Sequence, residues 1–154
     1  MKTKELTADS VWREYEKMLA YNDSIQLDDT VRVNENFFIG KQWEGVESNG
    51  LPTPQFNFLK RVTLFTVASI TSDKLKLKCS PLPSGAADVI NAEFEALFEH
   101  NKLTWLLKEY MRNAAVDGDG ATYTWWDADA DSGDGRHGAI VTEIVQNTRI
   151  GFGN

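Results

Sequence analysis

The residues with the strongest potential for chemistry are three aspartates at alternate positions near the C-terminal end of the chain. Asp127, Asp129 and Asp131 have the spacing of the first, third and fifth ligands of an EF-hand calcium loop. The match ends there, because the sixth position is Ser132 rather than Gly and the twelfth is Gly138 rather than Glu. The flanking segments also have the composition of strands, not of helices. We therefore interpret the row as a solvated hairpin tip, where Asp and Gly suit turns, and predict no tightly bound metal.

Few other residues of the chain have the spacing of a catalytic or metal-binding site. His100 lies at the end of a predicted helix and His137 lies in a glycine-rich loop. Neither has a plausible nucleophile beside it in sequence, and neither belongs to a metal-ligand spacing. The chain also has no glycine-rich dinucleotide pattern or P-loop pattern. We predict that the protein is not an enzyme and uses no cofactor. A hydrolase that uses the Asp cluster with a divalent metal is the remote alternative, and it would lose activity with Asp127→Ala or Asp129→Ala.

Composition narrows the class of protein. The 154 residues are 42% hydrophobic and 11% aromatic, which supports a packed core rather than disorder. The net charge of -7 disfavours tight non-specific binding to duplex DNA, although weak attraction suits a protein that DNA slides past. The single cysteine, Cys79, excludes an internal disulfide and fits a reducing compartment. Residues 1–6 have no signal-peptide core, and no apolar run approaches the ~20 residues of a membrane helix.

Hydrophobic spacing predicts helices in the first half of the chain. Apolar residues recur at helical spacing over residues 9–21, with Asp9 or Ser10 as the cap. A second helix is predicted from about residue 28 to Gly40. Residues 41–55 read as a loop, in which Trp43 is expected to pack back onto the second helix. Residues 55–72 are apolar on nearly all sides, which predicts a buried central helix.

Lysine and apolar residues then alternate over residues 74–79, which predicts a strand with one basic face and one buried face. Two interpretations of the lysine row stay open. It is either the solvated face of an edge strand, which we favour, or a face toward DNA or an acidic neighbouring subunit. Residues 80–85 read as a linker, because they contain two prolines and a glycine.

The second half of the chain is predicted to combine helix and sheet. Apolar stripes indicate two helices, interrupted near Asn101 and ending at Asp117-Gly118. Residues 121–127 are predicted to pair antiparallel with residues 139–145, and residues 147–154 to form a further short strand. The predicted fold class is therefore α+β. We divide it into an N-terminal helical region, residues 1–72, and a second α/β region, residues 73–154.

Three segments resemble a known family. Asn34-Glu-Asn-Phe-Phe-Ile-Gly-Lys-Gln-Trp43 is similar to the aromatic–x–Gly–x–Gln–Trp signature near the start of many portal proteins of tailed bacteriophages. Pro54-Gln-Phe-Asn57, running into Lys60-Arg-Val62, resembles the Asn-containing helix start that follows in that family. Arg112 to Asp127 resembles the segment in which a helix ends in an Asn-Ala–x–x–x–Gly turn and enters a hairpin. The order and spacing agree over about residues 30–127, although Phe38 stands where Tyr is common.

The resemblance implies a structural role. Portal proteins form a ring, typically of twelve subunits, at one capsid vertex, where they nucleate head assembly, dock the terminase, pass DNA and bind head-completion proteins. The chain would then comprise N-terminal helices followed by a wing-like region, in which a helix accompanies an antiparallel sheet. The family's stem, clip and crown would lie beyond Asn154, so we expect a truncated chain. The implied location is the virion, and the host cytoplasm during assembly, with no membrane contact.

Two tryptophans are the candidate subunit contacts. Trp12 and Trp43 flank the N-terminal helices, and a portal wing buries apolar surface against its neighbours. The main alternative is a stand-alone α+β module, either for interaction or for calcium binding through the Asp-rich hairpin loop. The two hypotheses differ in behaviour. A full-length portal should assemble into rings without metal dependence, and this chain alone should self-associate weakly, whereas the module should be a monomer stabilised by calcium.

Overall fold

The computed structural model describes residues 7–72, 76–80, 86–131, 135 and 137–151. Within these residues the chain forms five helices followed by an antiparallel hairpin, which confirms the predicted α+β class. The helices are α1 (Ala8–Ser24), α2 (Leu27–Ile39), α3 (Phe58–Ile70), α4 (Ala87–His100) and α5 (Leu103–Asp117), and the strands are β1 (Ala121–Asp131) and β2 (His137–Val145). None of the described helices is long and apolar enough to cross a membrane.

The ends of the first two helices follow local chemistry. Thr7 caps α1 through a reciprocal pair of hydrogen bonds with Ser10, so the cap lies before the predicted Asp9 or Ser10. Gly40 ends α2 with φ of 89°, as predicted from the glycine. The loop between α2 and α3 is also confirmed, since residues 41–57 contain turns but no helix or strand.

The segment 55–72 contains the predicted helix, but the prediction that it is buried is wrong. Val67 is the buried residue of α3, at 7% exposure, whereas Phe65 is 75% exposed. The reason is that α3 packs against α5 and α2 on one side only. An apolar pattern on all sides of a helix predicts that every face is favourably buried. In the described part of this chain, only the face of α3 toward α5 and α2 is buried.

The hairpin confirms the predicted antiparallel pairing, with residues from Ala121 opposite Val145 to Asp127 opposite Ala139. Its position on the helices is fixed by Asn101, the residue predicted only to interrupt two helices. The Asn101 amide donates to the carbonyl of Ile140 at 2.8 Å and accepts from the amide N–H of Thr142 at 2.9 Å. One side chain therefore occupies the outer edge of β2 and joins it to the α4–α5 corner.

Two predicted strands are absent from the described residues. Residues 76–80 are irregular, and Leu77 is 53% exposed between two exposed lysines, so the predicted alternation of burial is wrong there. Lys74, Leu75 and most of the predicted linker lie outside the described residues. Residues 147–149 form a turn of 3-10 helix rather than a strand, and Asn147 in it is buried and hydrogen-bonded to the carbonyl of Asp119, just beyond the end of α5. Residues 152–154 also lie outside the described residues.

The surface is unusually large for a chain of this size. It measures 12464 Å², whereas a compact monomer of 17.3 kDa is expected to expose about 7,800 Å². The 21 residues outside the described ranges cannot account for the difference, because even as fully unfolded chain they would expose about 3,400 Å². The rest of the chain would still exceed the roughly 7,000 Å² expected of it by about 2,000 Å².

Candidate functional site

The three motif segments of the sequence, residues 34–43, 54–62 and 112–127, meet around the aromatic ring of Phe38. This ring is nearly buried, at 9% exposure. The guanidinium of Arg112 lies 4.6 Å from the ring centroid, and the ammonium of Lys60 lies 5.7 Å from it. A cation within about 6 Å of an aromatic face is attracted by the ring quadrupole. Each of the three segments therefore contributes one residue to a single centre, which we call the Phe38 centre.

An ion pair anchors this centre across two helices. Both terminal nitrogens of Arg112 donate to the carboxylate of Glu35, so α5 is tied to α2 by a bidentate contact. The two side chains are 24% and 30% exposed, which separates this pair from an ordinary surface salt bridge. Arg112 also donates to the side-chain oxygen of Asn113 at 3.0 Å. The planar guanidinium suits this combination of a forked contact and ring stacking, which a lysine could not reproduce.

Asn57 connects the first two segments. Its amide nitrogen donates to the carbonyl of Phe38 at 2.9 Å, and its amide oxygen accepts from the N–H of Lys60 at 3.1 Å, which caps α3. Gly40 makes this approach possible, because a Cβ there would lie 3.2 Å from the Asn57 nitrogen and the backbone is left-handed. Trp43 closes the same loop by donating its indole N–H to the carbonyl of Pro54 at 2.9 Å. These motif residues therefore build the α2–α3 connection.

A polar cavity of about 610 Å³ lies beside the ion pair, with Asp117 and Asn147 in its wall. The Asn147 nitrogen donates to the carbonyl of Asp119 at 2.6 Å and approaches the Asp117 carboxylate at 3.4 Å. One carboxylate oxygen of Asp117 and the amide oxygen of Asn147 are sealed from solvent, and no described residue donates to them. Burial raises the pKa of Asp117, with a further rise from Glu35 that Arg112 partly offsets. This corner, with its two unpaired oxygens, gave no signal in the sequence.

Replacing Asp117 by Asn is expected to stabilise the protein at neutral pH by up to about 1 kcal/mol, because the new amide can donate to the sealed oxygen of Asn147. The gain in stability of Asp117→Asn over the unaltered protein should increase as pH rises, because the carboxyl of Asp117 loses its own favourable contribution. A carboxyl whose folded pKa is raised favours folding below its unfolded value of 3.8, and that contribution is lost as pH rises through the folded pKa. Urea unfolding of both proteins from pH 3.5 to pH 7 measures this. A difference that is constant or shrinks with rising pH would contradict it.

The predicted metal residues lie along a strand rather than in a loop. β1 continues through Asp131, so the loop prediction that began at Asp127 is wrong for residues 127–131. Asp127 is half-buried opposite Ala139, and its carboxylate accepts from the N–H of Asp129 at 3.0 Å. Among the described residues no group of three or more His, Cys, Asp or Glu side chains has the arrangement of a metal site. The pairing of β1 is irregular between Asp127 and Asp131, but the chain there continues as a strand, whereas a calcium loop curls its carboxylates around the ion.

Calcium is therefore expected to leave the thermal stability unchanged. A ligand that binds only the native state must raise the melting temperature, by an amount set by its concentration relative to Kd. Melting curves in millimolar calcium and in excess chelator should coincide within error. A rise of several degrees with calcium that disappears in Asp129→Asn would contradict the prediction and favour the calcium-binding module.

The two histidines, far apart in sequence, line one recess of about 360 Å³ between α4 and β2. His100 and His137 share it with the ring of Trp126, which covers Gly138 so closely that a Cβ there would lie 2.2 Å from the indole. The described lining contains Glu93 but no Ser, Thr, Cys or Lys that could act as a nucleophile with a histidine base. In this arrangement the two histidines and Trp126 pack around an apolar recess that is open to solvent on one side.

The two tryptophans predicted as subunit contacts have different surroundings. Trp12 projects from α1 at 61% exposure, with its indole N–H donating to Glu16 at 2.8 Å and its ring 5.5 Å from that of Tyr15. Trp43 is 39% exposed and is held in the α2–α3 loop by Pro54. Trp12 is thus free to be covered by a partner, whereas Trp43 already has a structural role.

No protein-family model, no curated protein and no solved structure matches this chain.

Proposed function

We propose that the chain is a structural subunit of a portal-type ring, which forms the DNA passage at a capsid vertex and docks packaging and head-completion proteins. Two arguments support the proposal. The three segments that resemble the portal family meet at the Phe38 centre, so the resemblance falls on residues that hold helices α2, α3 and α5 together. The chain also exposes apolar surface of the extent that an assembling subunit needs.

The exposed apolar surface is the observation that carries the proposal. Among the residues that the structure describes, twenty-five large hydrophobic side chains are exposed, including four of the five tryptophans, whereas five hydrophobic residues are buried. A monomer rarely exposes apolar patches beyond several hundred Å². A ring subunit has two neighbours, and a standard interface buries about 800 Å² on each partner. The excess surface of about 2,000 Å² estimated above is therefore sufficient for two such contacts.

The charge of the chain is compatible with a passage for DNA. A ring of subunits with a net charge of -7 each would not hold the phosphate backbone tightly, because tight binding needs clustered Lys and Arg. The role is mechanical, and it requires neither a catalytic residue nor a cofactor. Its partners would be further copies of the chain, the capsid proteins and the terminase.

The proposal is tested in capsids from cells that produce the protein. Purified capsids should contain the chain at a copy number far below that of the shell subunit, because a ring occupies one vertex. Quantitative mass spectrometry of gradient-purified particles measures this ratio. Absence from capsids, or a copy number equal to that of the shell subunit, would contradict the portal role.

A further inference from the structure

Two helices present apolar stripes to solvent on different parts of the chain. The α3 stripe has side chains that are 57–75% exposed, and it consists of Phe56, Phe58, Leu59, Val62 and Phe65. The α1 stripe is 44–61% exposed and consists of Val11, Trp12, Tyr15 and Leu19. Within each helix the stripe residues lie three, four and seven positions apart, the spacing with which one helix packs along another, and Phe56 extends the α3 stripe from the preceding loop.

We infer that the α1 stripe of one copy packs on the α3 stripe of a second copy, in a head-to-tail contact. The inference rests on the proposed assembly of the chain and adds which surfaces meet. It differs from a symmetric contact, in which the same stripe of two copies would pack together.

The area of the α3 stripe fits an interface. Phe side chains bury roughly 150 Å² or more each when covered. Five side chains exposed by more than half therefore leave roughly 600 Å² of apolar surface to cover, against about 800 Å² per partner in a standard interface. A recess of about 190 Å³ beside the stripe, between Phe37 and Phe56, offers space for an aromatic anchor of the partner.

The net charges of α1 and α3 favour α1, and not a second α3, as the helix that packs on the α3 stripe. α3 contains Lys60 and Arg61 and no acidic residue, a net charge of +2. α1 has a net charge of -2, since its four acidic residues (Asp9, Glu14, Glu16, Asp23) outnumber its two basic residues (Arg13, Lys17). Two α3 stripes would place like charges together, and so would two α1 stripes, whereas α1 on α3 pairs opposite charges.

The geometry has a direct consequence for assembly. A contact between two different surfaces leaves each copy with one unused α1 stripe and one unused α3 stripe. Such heterologous contacts continue from copy to copy and end only when a ring closes. A symmetric contact would stop at a dimer.

Two variants test the contact. Trp12→Lys places a positive charge in the α1 stripe, and Phe65→Glu places a negative charge in the α3 stripe. Each is expected to weaken self-association of the full chain at least about tenfold, because each repels the opposing helix and removes an aromatic contact. A mixture of the two variants should restore association, since one intact surface remains on each and the two altered surfaces carry opposite charges. Analytical ultracentrifugation across a hundredfold concentration range measures all three.

Val89→Glu is the matched control, because Val89 on α4 is 65% exposed and outside both stripes. It should associate like the unaltered protein, and circular dichroism should show the same helix content in all variants. If Trp12→Lys alone forms dimers and the mixture does not restore association, the contact is a symmetric one between two α3 stripes and not the head-to-tail contact. A strictly monomeric unaltered protein would overturn the contact altogether. Neither result decides the portal role, which depends on the presence of the chain in capsids.

Discussion

Replacing Arg112 by Ala is expected to lower the free energy of unfolding by about 2–3 kcal/mol. The change leaves the carboxylate of Glu35 without its partner in a mostly buried position, and it removes the cation that covers Phe38. Breaking a fully buried pair costs about 3–5 kcal/mol, and the partial exposure of this pair reduces the effect. For a chain of this length the melting temperature should fall by about 5–10 °C. Differential scanning calorimetry measures the loss.

Arg32→Ala provides the matched control, because Arg32 also pairs with an aspartate on α2, at 2.7 Å, but both side chains are about 70% exposed. Its loss should cost less than about 0.5 kcal/mol. Combining Arg112→Met with Glu35→Gln should recover much of the loss, since no unpaired charge then remains. Equal effects of Arg112→Ala and Arg32→Ala would mean that the Phe38 centre contributes little to stability.

Asn57→Ala is expected to destabilise the protein by about 2 kcal/mol. About 1 kcal/mol comes from the lost cap of α3. A similar amount comes from the carbonyl of Phe38, which loses its donor in a part-buried position. Asn57→Asp separates the two contributions, because it keeps the oxygen that caps α3 and loses the N–H donor. Urea denaturation should give Asp a stability between those of Asn and Ala. A stability of Asn57→Ala within about 0.3 kcal/mol of the unaltered protein would contradict the contact.

The elements that sequence predicted well are those specified by local chemistry. Gly40 and Gly118 end helices α2 and α5 because glycine adopts the left-handed conformation there. The hairpin follows from two segments of strand-forming residues around a turn. The same reasoning predicted that α3 is buried, and the structure leaves its outer face open. A hydrophobic pattern indicates that a surface needs cover, but it does not indicate whether the same chain supplies that cover.

The candidate site was largely beyond prediction because its contacts join distant positions. Glu35 and Arg112 are 77 residues apart, and no local periodicity indicates that a glutamate on one helix meets an arginine on another. Asn57 is 19 residues from the carbonyl it contacts. The motif segments themselves did not indicate that they meet at one aromatic ring. Asn101 shows the same limit, since its position in a helix break was predicted but its contacts with β2 were not.

The attachment of β2 to Asn101 leaves β1 as the outer strand of the hairpin. Within the described residues β1 pairs only with β2, so the backbone groups along its other side could pair with a strand from another molecule. One half of that edge is rich in aromatic and β-branched residues, and the other half contains Asp127 and Asp129. Stacking two such edges in parallel register would bring like charges side by side, which opposes amyloid-like growth. The aspartate row, which has the spacing of a calcium loop in sequence, thus gives this edge a charged half that disfavours aggregation through the strands.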